Sequence, residues 1–180
     1  MTSITTTAEL RKSGLSQRAI HRACTPSGPW QKLLPGVVLT TVSPPTRLDR
    51  LRAVLSFVGL TAVITGADAL IRQGATLPLP RHIHVLAGVN ARRAHPWILL
   101  ERTTRPPEVI ERHGLRLATP ARATLDLARR ETNPRAVVHL FDAVVDVRLC
   151  TPRDLREELE SACRRGTSLA RQALAHLYPP

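Results

Sequence analysis

The chain has 180 residues, a formal net charge of +12 and a hydrophobic fraction of 43%. This length fits one domain, or a small domain followed by a medium one, and the apolar content can fill a core. The longest apolar run, near residues 60–64, is far too short to span a bilayer, and no signal peptide opens the sequence. We therefore expect a soluble cytoplasmic protein whose positive charge favours a polyanionic partner. Charge alone does not separate DNA from RNA or from an acidic membrane surface.

The amino-terminal stretch predicts two short helices with several basic side chains. The first spans residues 8–13 and carries Arg11 and Lys12. The second spans residues 15–24, and the hydroxyl of Ser16 is the expected cap for its free backbone N–H groups. A short basic helix followed closely by a second one is the start of a helix-turn-helix pattern.

The second predicted helix has an apolar side and a polar side. Helical spacing groups four apolar side chains that we expect to face inward: Leu15, Ala19, Ile20 and Ala23. The opposite side carries four polar side chains: Gln17, Arg18, His21 and Arg22. Because arginine recognises guanine edges in the major groove and glutamine recognises adenine, this side predicts a DNA-recognition helix. The alternative is an ordinary helix with a solvated basic face.

A loop and a predicted β-hairpin follow this helix. Residues 26–29 comprise two prolines, a serine and a glycine, which are typical of a turn. Residues 35–36 are Pro-Gly and predict a second turn, so residues 30–34 and 37–41 form a hairpin wing. The expected alternation turns Leu34 outward and three side chains inward: Trp30, Leu33 and Val37. Lys32 and the backbone at the turn would lie beside a phosphate strand.

The predicted DNA contacts therefore form one list of eight residues. They are Arg11, Lys12, Ser16, Gln17, Arg18, His21, Arg22 and Lys32.

After a predicted linker at residues 42–46, the sequence pattern predicts a mixed α/β domain. The predicted helices cover residues 47–58, 66–73, 120–130, 134–145, 152–166 and 168–177. The predicted strands cover residues 60–65, 81–86, 97–102 and 115–118. Four threonines are the expected helix caps: Thr46, Thr65, Thr119 and Thr151. We thus predict an α+β protein: a winged helix-turn-helix over residues 1–43, then an α/β domain with a small sheet and carboxyl-terminal helices over residues 44–180.

Residues suited to catalysis or metal binding are scattered. His82, His84 and His95 suggest a metal site, but no carboxylate or cysteine lies at a supporting spacing, so we interpret them as strand-face or phosphate-side residues. Arg122 and Asp126 are four apart on one predicted helix and are expected to form an ion pair, because no nucleophile or base accompanies them. We therefore predict no catalytic residues, no metal and no cofactor.

Further carboxylates and the cysteines have plain interpretations as well. Asp142 and Asp146 are predicted to be exposed helix carboxylates. The arginines and glutamates interleaved over residues 153–171 predict a solvated helix face or a partner surface. The three cysteines form no Cys-x-x-Cys pair and are predicted to be small buried side chains in a reducing environment: Cys24, Cys150 and Cys163.

Several short segments together resemble the AbiEi-type antitoxin-like proteins of actinobacteria. The segments are residues 14–16, 30–38 (Trp-Gln-Lys-Leu-Leu-Pro-Gly-Val-Val), 47–53, 62–70 and 117–127, and the Thr-Pro-Ala-Arg-x-x-x-Asp pattern at residues 119–126 is the most specific. The resemblance implies an N-terminal winged helix, a mixed α/β domain, and a type IV toxin–antitoxin role as the antitoxin-side repressor. It also implies binding to inverted repeats in the operon's own promoter. Longer relatives carry a carboxyl-terminal endonuclease-like domain, which we expect to be absent here.

We therefore predict a sequence-specific repressor that binds double-stranded DNA as a homodimer. Its second domain would supply dimerisation or contacts to a cognate toxin. Two alternatives remain open. The α/β domain neutralises a toxin while the winged helix no longer binds DNA, or the chain is the remnant of a nuclease-fused protein.

Overall fold

A computed structural model describes residues 3–91 and 95–179. Within these residues the fold is α+β, with a three-stranded sheet near the amino terminus, a five-stranded sheet behind it, and eight helices around them. This confirms the predicted α+β class. No helix in the described ranges is long and apolar enough to cross a membrane.

The amino-terminal unit, which we define as residues 3–41, contains two helices and three strands. Its elements are β1 (Ile4–Thr6), α1 (Thr7–Lys12), α2 (Gln17–Ala23), β2 (Gln31–Leu34) and β3 (Val37–Leu39). The strands lie in the order β1-β3-β2 and all pairs are antiparallel. Strand β1 was not predicted, because three residues of mixed polarity become a strand only through pairing with β3.

The hairpin contains an irregularity that changes which leucine is buried. Lys32 pairs with Val38, whereas Leu34 pairs with Val37, so one additional residue is accommodated at Leu33. Such a bulge shifts the side-chain alternation. Leu34 is therefore only 1% exposed and belongs to the core, although the simple alternation placed it outward. That prediction was wrong.

Helix α3 (Arg47–Val58) lies between the two sheets and contacts both. It begins at Thr46, which forms a reciprocal capping box with Asp49, as the predicted cap requires. Its apolar side buries Leu51, Val54 and Phe57. The helix contacts β1, β2 and β3 and also strands of the larger sheet, so the amino-terminal unit packs directly on the rest of the protein.

The larger sheet has five strands of mixed direction. They are β4 (Val63–Ile64), β5 (Ile83–Ala87), β6 (Ile98–Arg102), β7 (Val109–Arg112) and β8 (Leu115–Ala118), in the order β6-β5-β4-β8-β7. The pairs β5–β6 and β4–β8 are parallel, and the others are antiparallel. The sequence of residues 81–86 alternates polar and apolar side chains, which favours a strand exposed on one face, but all five residues of β5 are buried. Helices α3 and α4 (Gly66–Gln73) both contact this strand.

Strand β7 is a second element that the sequence pattern does not predict. It pairs with β8 through a two-residue turn in which His113 (φ 52°) and Gly114 (φ 70°) are both left-handed. Two consecutive positive φ angles match the twist of a tight hairpin. The His-Gly dipeptide ahead of a predicted strand was the available signal.

Four further helices complete the fold: α5 (Pro120–Ala128), α6 (Pro134–Asp146), α7 (Pro152–Ser161) and α8 (Ser168–Leu177). Thr151 caps α7 through a box with Asp154, which agrees with the predicted cap. Thr65 and Thr119 precede α4 and α5 without a side-chain cap bond, so their predicted capping role is wrong. Cys150 is buried as predicted, whereas Cys24 is half-buried and Cys163 is exposed.

Candidate nucleic-acid interface

The turn between α1 and α2 is built by short-range backbone contacts. Gly14 adopts a left-handed φ of 95°, and its N–H donates to the carbonyl of Arg11 at 3.1 Å. The N–H of Leu15 donates to the carbonyl of Leu10 at 3.1 Å, which closes the end of α1. Ser16 then caps α2 by accepting a hydrogen bond from the N–H of Ala19 at 3.1 Å. The predicted cap is therefore present, and the two helices pack against each other.

Helix α2 is anchored on a narrow apolar side. Ile20 is 3% exposed, whereas Leu15 and Ala23 are half-buried and Ala19 is exposed. The predicted inward stripe of four side chains is therefore wrong at Ala19. A helix held along so narrow a stripe presents most of its circumference to solvent.

The polar side of α2 is free. All four of its predicted recognition residues are exposed: Gln17, Arg18, His21 and Arg22. They occupy positions i, i+1, i+4 and i+5, which lie on one side of a helix. Within the described part of the chain, none of the four side chains has a hydrogen-bond or ion-pair partner. Their donors and acceptors are therefore available to a ligand.

A tight loop fixes the hairpin on the carboxyl end of α2. The N–H of Trp30 donates to the carbonyl of Ala23 at 3.0 Å, and the N–H of Gly28 donates to Thr25 at 2.8 Å. A Cβ atom at Gly28 would lie 2.2 Å from the carbonyl oxygen of Ala23, so only glycine fits there. The strands of the hairpin are thereby placed directly beside the end of the helix.

The exposed lysine of the hairpin lies near α2. Burial raises the pKa of the Cys24 thiol at the carboxyl end of α2, and the positive charge of Lys32 opposes that rise. Lys32 itself is exposed on β2, the strand that follows the loop after α2. Gln31 donates to the carbonyls of Thr41 and Ser43 at 3.0 and 2.7 Å and so holds the base of the hairpin. At its tip, Gly36 accepts from the N–H of Thr7 at 2.9 Å, so the turn rests against the start of α1.

The amino-terminal unit is strongly positive. Its five basic side chains are all exposed: Arg11, Lys12, Arg18, Arg22 and Lys32. Its single carboxylate is Glu9, which is bound by the backbone N–H and hydroxyl of Thr6, and these bonds lower the pKa of Glu9. The Glu9 carboxylate is therefore ionised but already bound by Thr6, and the five basic side chains form no ion pair within residues 3–41.

The three histidines singled out in the sequence are not brought together. His82 is exposed, His84 is buried with its Nε2 3.1 Å from Glu101, and His95 lies edge-on to Phe57 and Trp97. Glu101 is a carboxylate partner that linear spacing did not suggest, because it lies on the neighbouring strand. Within the described residues, no group of three or more histidine, cysteine or acidic side chains has the arrangement of a metal site.

The predicted Arg122–Asp126 ion pair is present at 3.0 Å, and it is buried. Asp126 also accepts a hydrogen bond from the hydroxyl of Thr65 at 2.8 Å. The arrangement explains why Thr65 does not cap α4. The hydrogen bond from Thr65 to Asp126 joins the start of α4 to α5. We therefore interpret Thr65, Arg122 and Asp126 as a structural cluster.

Asp142 and Asp146 behave differently from each other. Asp142 is half-buried and accepts from the hydroxyl of Tyr178 at 3.4 Å, whereas Asp146 is exposed. The predicted exposed pair is therefore correct only at Asp146.

Comparisons with known proteins agree with this architecture. The crystal structure of the Rv2827c protein from Mycobacterium tuberculosis is similar with a TM-score of 0.65, covering 95% of this chain and 71% of that one at 17% sequence identity. This likeness concerns the fold. No curated protein matches the chain in sequence. Residues 52–177 match the family model of the AbiEi antitoxin C-terminal domain. That match begins inside α3 and covers well over half of the chain, so the protein belongs to the AbiEi antitoxin family.

Proposed function

We propose that the protein is a DNA-binding transcriptional repressor on the antitoxin side of a toxin–antitoxin system. The observation that carries this proposal is the free polar side of α2, with four exposed and unpartnered side chains beside an exposed basic hairpin. Family membership supports the antitoxin role. The order helix, helix, hairpin in the amino-terminal unit supports a winged helix-turn-helix as the DNA-binding part.

In this proposal α2 is the recognition helix. Arg18 and Arg22 donate to guanine edges in the major groove, and Gln17 pairs with an adenine. Arg11, Lys12 and Lys32 contact phosphates and set the position of the helix. Ser16 uses its oxygen to cap α2, which leaves its hydroxyl hydrogen for a phosphate.

Two copies of the chain would bind inverted repeats in the promoter of its own operon. A twofold protein dimer matches an inverted repeat, because each copy meets an identical half-site. The packing of α3 on both sheets supports this geometry, since it couples the position of α2 to the α/β part of the same chain. The α/β part would supply dimer or toxin contacts.

A footprint on the upstream region of the gene tests the proposal. The full chain should protect an inverted repeat, and the Arg18→Ala/Arg22→Ala variant should bind it roughly 100-fold more weakly. The same variant should reduce the slope of log affinity against log salt by about 2 if both arginines displace counterions. An Arg153→Ala variant is the matched control, because Arg153 is 84% exposed on α7, outside the amino-terminal unit. Protection of no inverted repeat, or equal losses in the two variants, would contradict the proposal.

A second candidate function is toxin neutralisation without DNA binding. It is favoured by the position of the family match, which covers residues 52–177 and leaves out α2 and the hairpin. Co-expression with the cognate toxin separates the two functions. If the protein is a repressor, the Arg18→Ala/Arg22→Ala variant should lose repression and still neutralise the toxin. If it only neutralises the toxin, neither the natural chain nor the variant should bind DNA.

A further inference from the structure

A charged cleft of about 460 Å³ opens on the α/β part of the molecule. It is formed by the end of β6 and the segment that follows it, by α5, and by the end of α7. The polar side chains on its lining include Glu101, Arg102, Thr104, Arg105, Asp126 and Glu158. In sheets with parallel strands, ligands commonly bind beyond the carboxyl ends of the strands, and β6 ends here beside the parallel strand β5.

Each carboxylate of the cleft is already neutralised within the protein. Asp126 is bound by Arg122 at 3.0 Å, and Glu158 is paired with Arg105. Glu101 has His84 at 3.1 Å, Arg130 at 3.1 Å and Arg129 at 3.5 Å. The bond from His84 is the largest cause that lowers the pKa of Glu101 to about 2, so this carboxylate is ionised and occupied at neutral pH. None of the three is left to attract a cation.

Positive charge remains after these pairings. Arg102 is exposed, and its Nε donates to the carbonyl of Ala91 at 2.7 Å. Its terminal nitrogens have no acceptor among the residues that the structure describes. Burial is the largest effect that lowers the pKa of Arg105; the charges of Arg122 and Arg129 lower it further, while the charge of Asp126 raises it. Four guanidinium groups thus lie on the lining of one cleft, and Arg102 is the one whose terminal nitrogens are unoccupied within the described part of the chain.

The cleft also offers a neutral donor. Thr104 lies on the lining, is exposed, and has no side-chain hydrogen bond within the described ranges. Thr103 by contrast is occupied, because its hydroxyl is bonded to the backbone of Arg105. Guanidinium nitrogens and a hydroxyl on the lining of one cleft are donors of the kind that phosphate oxygens accept.

We propose that this cleft binds a phosphorylated small molecule, with its phosphate held by the terminal nitrogens of Arg102 and the hydroxyl of Thr104. The volume accommodates a mononucleotide as well as free phosphate. A nucleic-acid duplex fits less well, because three carboxylates line a concave surface that a continuous phosphate backbone would have to enter. The site is distinct from α2 and does not depend on the proposed repressor function.

Isothermal titration calorimetry on the full chain tests the proposal. Sodium phosphate and AMP are the two probes, with ionic strength held constant by sodium chloride. At least one of them should bind saturably, and the tighter of the two identifies free phosphate or a nucleotide as the source of the anion. Arg102→Gln should weaken binding roughly tenfold, because it removes a charge-assisted hydrogen bond. Arg153→Gln, which removes an exposed arginine outside the cleft, should leave binding unchanged.

Three results would overturn the proposal. The first is that neither probe binds saturably. The second is that Arg102→Gln and Arg153→Gln weaken binding equally. The third is that Arg18→Gln/Arg22→Gln abolishes binding while Arg102→Gln keeps it, since the anion would then lie on α2. An unchanged unfolding midpoint checks that Arg102→Gln folds, and Thr104→Val provides a second variant with an expected loss in the same direction.

Discussion

The arginines of the amino-terminal unit and those around α5 differ in what they contact. On α2, Arg18 and Arg22 are exposed and have no partner among the described residues. Around α5, Arg122 binds Asp126, and Arg105 pairs with Glu158. Elsewhere in the α/β part, Arg171 donates to the carbonyl of Leu159 at 2.7 Å. Arginines of the α/β part therefore stabilise the fold through internal contacts, whereas the arginines of α2 are available to a partner. A net charge of +12 does not by itself measure the surface available to DNA.

The largest expected effect is on the buried pair. Asp126→Ala leaves the Arg122 guanidinium, which is 5% exposed, with the more distant carboxylate of Glu158 at 3.8 Å and removes the acceptor of the Thr65 hydroxyl. We expect the free energy of unfolding to fall by about 3–5 kcal/mol, measured by urea denaturation. Arg18→Ala should leave the urea midpoint nearly unchanged, because it removes no internal contact. A loss below about 1 kcal/mol for Asp126→Ala would erase the distinction between the two regions.

A double substitution sharpens this comparison. Arg122→Met with Asp126→Leu removes both buried charges together, so no charge is left unpaired and only the Thr65 hydroxyl loses its acceptor. We expect it to recover most of the stability lost in Asp126→Ala, because apolar replacements of buried ion pairs are often neutral. A double variant as unstable as Asp126→Ala would show that the cluster stabilises the fold in itself.

A medium effect is expected at the loop that positions the hairpin on α2. In Gly28→Ala the new Cβ would meet the Ala23 carbonyl oxygen at 2.2 Å, so the loop must move. We expect a loss of about 1–3 kcal/mol in unfolding free energy, together with weaker DNA binding because Lys32 shifts relative to α2. Gly88→Ala is the control, since a Cβ there meets nothing within 4 Å. Equal stability of the two variants would contradict the proposed geometry of the loop.

The smallest effect concerns pH. The pKa of Glu101 is lowered from 4.5 to about 2, first by the bond from His84 and then, against the opposing effect of burial, by Arg130. A carboxyl whose pKa is lower in the folded state stabilises the fold above its unfolded pKa and loses that contribution as pH falls toward the folded value. Urea midpoints should therefore fall between pH 5 and pH 3 more steeply in the natural chain than in Glu101→Gln. Parallel pH profiles would show that this network contributes nothing to stability.

The sequence predicted best what depends on neighbouring residues. The cap at Ser16, the boxes at Thr46 and Thr151 and the helix starts at Pro120, Pro134 and Pro152 were all identifiable, because each uses donors within a few positions. The exposed face of α2 followed in the same way from helical spacing. The family resemblance rested on short segments of this local kind and agrees with the family match.

Contacts between distant segments decided the rest. Pairing with β3 makes β1 a strand, and a one-residue bulge buries Leu34. The Thr65 hydroxyl does not cap α4 but donates to Asp126, 61 positions away. The neighbouring strand gives His84 a carboxylate in Glu101. A local pattern shows which side chains can form a bond, but only the packed chain shows which of the competing partners lies within reach. For this protein, the pattern identified the side chains on α2, and the tertiary structure determined which other arginines are used internally.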